Sequence, residues 1–385
     1  MVSEVNRGPL SDIVVIDLTR VLAGPFCTLL LSDLGARVIK VENPEGGDDS
    51  RAYGPFINGK SGYFISQNRG KESIALDLKS SGDLAILHRM LKRADVIVEN
   101  FRPGTMQRLG LGWDALHRQY PKLIYASTSG FGQTGPYAKR AAYDIIAQAM
   151  GGIMSVTGHE GGPPTRVGSS IGDLGAGMFT ALGILTGLHH RARTGEGMMV
   201  DVAMLDSQVA LLENSIARYF ASGKPPKPQG ARHPSIAPFE PYQTQDGHVV
   251  IACGNDELFA KFCQTMGCPA LAQDQRFATN AARSDHVILL KAELEDMLVH
   301  KPTRHWLDLL LPAGIPCAPI NNVEQAVHDP HVQARNMVLP VDDPSVAPLM
   351  VAGLPIKMSA YPDAEKRPAA PELDADRARI LADFP

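Results

Sequence analysis

Asp173 stands in the run Ser169-Ser170-Ile171-Gly172-Asp173-Leu174-Gly175, directly before a long apolar stretch. Two readings of it are open. As structure, an Asp at a helix start is a favoured N-cap, accepting backbone N–H groups. As chemistry, a helix N-terminus keeps a carboxylate ionised at neutral pH and offers amides to developing negative charge, and carboxylates serve as covalent nucleophiles. The flanking Gly172 and Gly175 would let a bulky reacting group come close. A second motif, Gly130-Phe131-Gly132-Gln133-Thr134-Gly135, matches the Gly-x-Gly-x-x-Gly of dinucleotide sites. Its context fails: Pro136 follows at once, no helix opens on the third glycine, and the turn after the first expected strand holds only Gly24. A glycine-rich loop lining a ligand cleft is the better reading. Lys40, Arg69, Lys71, Lys79, Arg102, Arg108, Lys139 and Arg140 recur near the expected C-terminal strand ends. Singly each reads as a solvated surface charge; clustered at the crevice of an α/β sheet, several could hold the phosphates of a polyanionic ligand.

The elements that must position these residues alternate. Short β-branched runs at 13–17, 36–42, 95–99 and 123–127 are interleaved with helix-like stretches at 23–34 and 82–92, the pattern of parallel strands with crossover helices. This predicts an α/β fold with a doubly wound sheet. Asp173 opens a long, largely buried helix that runs to about Arg193 and ends in the turn Thr194–Gly197. Residues 1–222 form the first part of a large domain, and the Pro-rich 223–242 a linker. A smaller α+β domain, opening with a hairpin across Asp246-Gly247, spans 243–312, and 313–385 returns to the large domain.

A chain of 385 residues with net charge −4 and dispersed basic residues has no face that draws in nucleic acid or an anionic membrane, so a small-molecule partner is expected. No signal-like apolar run opens the chain and no segment reads as a membrane span, which makes a cytoplasmic location the default expectation. Cys27, Cys253, Cys263, Cys268 and Cys317 are odd in number and lack Cys-x-x-Cys spacing, arguing against a zinc site and a disulfide framework. No metal is expected.

The stretches Leu18-Thr19-Arg20-Val21-Leu22-Ala23-Gly24-Pro25, Gly35-Ala36-Arg37-Val38-Ile39-Lys40-Val41-Glu42 and Val98-Glu99-Asn100-Phe101-Arg102-Pro103-Gly104 resemble the family III CoA-transferases, the CaiB/BaiF group. Ser129–Pro136, Ala142-Tyr143-Asp144, Gly172-Asp173 and Arg193-Thr194-Gly195-Glu196-Gly197 follow in family order, so the resemblance spans about residues 10–360. It implies a Rossmann-like large domain built from both chain ends, a small domain between them, and an interlocked homodimer. It also implies that acyl-CoA is a substrate, with no permanently bound cofactor, and that CoA contacts fall on Leu22, Ala23, Asn43, Leu76, Lys79, Asn100, Phe101, Arg102, Arg108, Arg140 and Tyr143. Asp173 falls on the family nucleophile, forming an aspartyl anhydride and then an aspartyl-CoA thioester before CoA passes to an incoming carboxylic acid.

The loop Ala252-Cys253-Gly254-Asn255-Asp256, with Gly254 and Asn255 as substrate-loop residues, is not the run of glycines found in the formyl-CoA branch. Leu22 replaces that branch's Gln, so the sequence reads against formyl and oxalyl transfer. The nearest resemblance is to the branch acting on dicarboxylates, with succinyl-CoA as donor and glutarate or hydroxymethylglutarate as acceptor. Arg51, Arg232 and His233 are candidates for holding the distal carboxylate. Two alternatives stand beside this reading. One is an acyl-CoA racemase of the same fold, whose His-Asp pair is here Tyr143-Asp144; the other is a noncatalytic CoA-binding protein.

Overall fold

The computed structural model describes residues 8–385. Its chain divides into two compact units. The larger takes residues through Met154, Arg166–Lys224 and Asp329–Pro385; the smaller takes Ser155–Thr165 and Pro225–His328.

In the larger unit the chain runs β1 (Val14–Asp17), α1 (Ala23–Asp33), β2 (Arg37–Glu42), a two-residue-per-arm hairpin β3 and β4 (Phe56–Ile57, Lys60–Ser61), α2 (Gly62–Asn68), β5 (Glu72–Ala75), α3 (Ser81–Leu91), β6 (Val96–Glu99), α4 (Thr105–Arg108), α5 (Trp113–Gln119) and β7 (Ile124–Ser129). It continues through α6 (Asp144–Met150), α7 (Ile171–Thr194), β8 (Met199–Ala203), α8 (Met204–Ala210) and α9 (Ser215–Ser222). Six strands pair in parallel in the order β5-β2-β1-β6-β7-β8. Counted within the sheet this is 3-2-1-4-5-6, the doubly wound arrangement, whose strand order reverses between β1 and β6. Parallel strands buried on both faces are largely apolar, and alternation sorts their side chains between the two faces. Val15, Val38, Val96 and Val98 face Cys27, Leu31, Ala181 and Ile184 of α1 and α7. Ile16, Ile39, Ile74 and Ile97 face Leu87, Met90 and Leu91 of α3, together with Ile380 of the helix Arg377–Asp383 and Phe384 directly after it. Burying those last two side chains contributes about 1.5–3 kcal/mol each.

That C-terminal stretch also closes the open edge of β5. The N–H groups of Ser73 and Ala75 donate to the Asp376 and Asp374 carboxylates (2.9 and 2.7 Å), and the Arg377 guanidinium donates to the Ala75 carbonyl (2.7 Å).

The long apolar helix runs Ile171–Thr194, ending at Gly195 in the left-handed conformation (φ 81°). A helix this apolar stays in place because small residues let neighbours approach. A Cβ on Gly177 would stand 2.7 Å from the Ala23 carbonyl oxygen, so α1 begins directly against α7, one turn after Asp173. Met178, Phe179 and Leu182, on the other side of α7, are exposed.

The smaller unit is a three-stranded antiparallel sheet, β9 (Phe239–Gln243), β10 (His248–Ala252) and β11 (Cys317–Pro319), with β10 central. Helices pack on it around Tyr242, Phe259, Phe262, Leu290, Leu294 and Leu310. Strand β9 occupies residues the sequence reading gave to a linker. Pro241 is tolerated there because β9 is an edge strand, where a missing N–H costs no ladder bond.

Candidate active site

At the C-terminal ends of β1, β2, β5 and β6, next to the reversal of strand order, lies a cavity of about 530 Å³. Asn43, Leu76, Lys79 and Phe101 line it, with Thr19, Thr105 and Leu109. The four come from the loops after three different strands, so the fold itself gathers them. Lys79 is exposed, and its ammonium has no ion-pair partner among the described residues. Arg108, on α4 with Thr105, donates to the Thr105 hydroxyl (2.9 Å), and Arg102 is exposed on the same loop. The Asn100 amide is already spent: it donates to the Arg20 carbonyl (2.8 Å) and accepts from the Arg20 N–H (3.0 Å), clasping the β6 loop to the β1 loop. Arg140 is exposed and stacks its guanidinium 3.8 Å from the Tyr137 ring centre, and Tyr143 is exposed at the start of α6. Leu22 and Ala23 open α1. Neither they nor Asn100, Arg102, Arg108, Arg140 and Tyr143 line the cavity.

For three of the expected phosphate cations the sequence reading needs correction. Lys40, Lys71 and Arg69 are buried ion-pair partners, not loop cations awaiting phosphate. The Lys40 ammonium lies 2.8 Å from Asp48, that of Lys71 lies 3.1 Å from Asp17, and Arg69 pairs with Asp33. Burial pulls Lys71 down to about 8 against the pull of Asp17. Burial pushes Asp48 up, but the charge and hydrogen bond of Lys40 prevail and hold it at about 2. Spacing could not reveal these partners, which lie 8 to 54 positions away in sequence. Arg51 is likewise committed: it grips Glu42 with two hydrogen bonds (2.7 and 2.8 Å) and stacks on Phe64.

The buried pairs support a strained turn. Val21 has φ 68°, a conformation that β-branched residues avoid, and its N–H donates to Asp48 (3.1 Å). Held on one side by Asp48 and on the other by the Asn100 clasp at Arg20, this turn delivers Leu22 and Ala23 to the start of α1.

Asp173 is the third residue of α7, not its cap; Ser170 holds that position without a side-chain hydrogen bond. The capping role falls to Asp144 of α6, whose Oδ1 accepts the Gly172 N–H (2.8 Å) while its Oδ2 accepts from the Gln148 side chain (2.7 Å). Gln148 in turn accepts the Val167 N–H (2.9 Å), so α6 fixes the backbone on the approach to Asp173. The sequence reading also expected the helix terminus to keep Asp173 ionised. Instead burial first, and the charge of Asp144 second, push it up to about 7. Tyr63 of α2, raised to about 12 by burial and then by Asp173, marks another side of the site that spacing did not suggest. Glu99, pushed up to about 7 by burial, accepts the Phe101 N–H (2.8 Å) and shapes the β6 loop.

The glycine motif at 130–135 is a loop after β7 with no helix on it; Gly132 donates to Ser129 (3.0 Å) and Gln133 N–H to Asp201 (2.9 Å). In the smaller unit, Asn255 caps α10 (Asp256–Thr265), accepting the Leu258 N–H (2.8 Å), and a Cβ on Gly254 would meet no atom within 4 Å. The fully buried Arg283 anchors that helix start through Asp256 (2.7 Å). His233 accepts from Ser235 N–H (3.2 Å). Among the described residues no cluster of three or more His, Cys, Asp or Glu side chains could hold a metal ion.

The chain is similar to known proteins along nearly its whole length. Residues 10–377 match the family described as CoA-transferase family III. The chain is 48% identical to the acetyl-CoA:oxalate CoA-transferase of Acetobacter aceti over 98% of this chain and 96% of the relative. It is 41% identical to the succinate–glutarate CoA-transferase of Agrobacterium fabrum, over the same shares. The crystal structure of a CaiB/BaiF family protein from Brucella suis superposes with a TM-score of 0.86 at 39% identity, covering 98% of this chain and all of that one.

Proposed function

The chain belongs to CoA-transferase family III, and from that premise we propose that it moves CoA from an acyl-CoA donor to a free dicarboxylate through covalent chemistry on Asp173. The observation that carries the proposal is the Asp173 carboxyl in the first turn of α7, without an ion-pair partner among the described residues and raised toward neutrality. A carboxylate of higher pKa is a stronger nucleophile once ionised, and a pKa near 7 leaves a large fraction ionised at physiological pH.

In the first half-reaction the Asp173 carboxylate attacks the donor thioester; the C–S bond breaks, leaving a mixed anhydride and a CoA thiolate. The thiolate attacks the aspartyl carbonyl, expels the donor acid as its carboxylate, and leaves an aspartyl-CoA thioester. The acceptor carboxylate repeats the sequence in reverse: it displaces the thiolate to form a new anhydride, and the thiolate then takes the acceptor acyl group and frees Asp173. Asn43, Lys79, Phe101, Arg102 and Arg108 are assigned to the CoA moiety, the cations to its phosphates.

The relatives' names narrow the acceptor to small diacids. The 48% identity to an enzyme named for oxalate also returns oxalate to the candidates, although Leu22 and the 252–256 loop had read against it. Exchange is tested by incubating the protein with acetyl-CoA or succinyl-CoA and a panel of acids, oxalate and glutarate included, and following acyl-CoA products by mass spectrometry. No exchange with any pair would end the proposal.

Because Asp173 must be ionised to attack, kcat/KM for the donor should climb about tenfold per pH unit below about 7 and level off above it. Asp144→Asn removes the second cause of the shift and should move the inflection to lower pH. A profile flat from about pH 5.5 to 8.5 would show that Asp173 does not titrate near neutrality, and would leave its role in the attack to the Asp173→Asn variant.

The exposed Met178, Phe179 and Leu182 of α7, with Ile145, Ile146 and Met150 of α6, support assigning this apolar surface to a homodimer interface. Leu182→Glu should shift the protein from dimer toward monomer in sedimentation velocity. A wild-type monomer, or a variant dimer of unchanged affinity, would remove this face from the interface.

A further inference from the structure

Arg166 approaches Asp144, the carboxylate that caps the Asp173 turn, without being committed to it. Arg51, Arg69, Lys40 and Lys71 are each paired with a carboxylate. Arg166, five residues before α7, is not so held: among the described residues its only ion pair is a loose 3.6 Å approach of Nη2 to Asp144 Oδ2, beyond hydrogen-bond distance, and its side chain is 44% exposed. Its backbone is nevertheless fixed, since the next residue, Val167, donates its N–H to Gln148. The Asp144 carboxylate that Arg166 approaches is the one whose other oxygen holds the Gly172 N–H, adjacent to Asp173. The guanidinium is therefore separated from the turn carrying Asp173 by a single carboxylate, on an anchored chain, with its five donors unspent.

We propose that Arg166 binds the distal carboxylate of the acceptor and so sets the preference for dicarboxylic over monocarboxylic acids. This rests on the CoA-transfer reading above. When an acceptor brings one carboxylate to the Asp173 carbonyl, its second carboxylate needs a cation near α7's first turn, and the half-exposed Arg166 can meet it with two parallel N–H···O bonds. Asp144 keeps its own partners, Gly172 and Gln148, when Arg166 turns away. Buried basic residues could not play this part without abandoning a buried carboxylate.

The experiment compares matched acids of equal chain length against one donor: oxalate with acetate, succinate with butanoate, glutarate with pentanoate. A common donor cancels effects on donor binding. In Arg166→Gln the diacid-to-monoacid ratio of kcat/KM for the preferred diacid should fall about 10- to 100-fold, carried by KM, and Arg166→Lys should keep an intermediate ratio. An unchanged ratio overturns the proposal, including the case in which both acids suffer equally because Arg166 acts only through Asp144. So does a wild type with no preference for diacids. If Asp173-dependent exchange persists in these cases, the transferase reading stands and only the assignment of Arg166 falls; if the wild type exchanges no acid at all, both fall.

Discussion

Asp173→Asn should lower the rate of CoA transfer by at least about 10³-fold, because the proposed acyl intermediates form on the Asp173 carboxylate, which the amide cannot replace as a nucleophile. Donor binding, measured by calorimetry, should persist. Stability separates this role from a structural one. The folded-state pKa of Asp173 is raised to about 7 from a reference of 3.8. The ionised carboxyl therefore disfavours folding, fully above about pH 7 and not at all below about pH 4. Replacing it with a neutral amide should leave the melting temperature at pH 8 unchanged or higher. An inactive variant that also melts well below wild type would point to a helix-start role. An active one would move the nucleophile elsewhere.

Lys40→Met carries the second large effect, this time on stability. Removing the ammonium leaves Asp48 and Asp17 buried without one of their cations, and breaking a buried pair from one side costs about 3–5 kcal/mol. Chemical denaturation should show that loss. The double variant Lys40→Met/Asp48→Leu should recover part of it, since the orphaned charge is gone. Simple additivity of the two single losses would mean that the pair is not coupled. Activity should stay impaired in the double variant, because Asp48 also accepts the Val21 N–H that holds the strained turn.

How much of this could be read in advance depended on whether the signal was local. The strands at 14–17, 37–42, 96–99 and 124–129 announce themselves as β-branched runs, and α7 by its apolar length and terminal glycine. The loop nature of 130–135 followed from Pro136. Partnerships across the sheet were invisible: nothing near Lys40 names Asp48, and nothing near Arg51 names Glu42 as the carboxylate that occupies it. Asp173 was singled out by its place before the apolar helix, but its surroundings differ from those expected there. The helix start suggested an ionised group, whereas burial and Asp144 govern it. Arg166 drew no attention because a lone arginine in a loop has no local signature. Pro238 and Pro241 suggested a linker where the fold uses an edge strand.

The closure of β5 by Asp374, Asp376 and Arg377 sets a schedule for the growing chain. Ser73 and its partner Asp376 are 303 positions apart. At a translation rate of roughly 5–20 residues per second, the strand leaves the ribosome about 15–60 s before the segment that covers it is made. Throughout that interval its N–H and C=O groups form an open edge, able to pair with a strand of any neighbouring nascent chain. The vulnerable period of this protein is therefore its synthesis, and its yield should depend on chaperone supply more than on the stability of the finished fold.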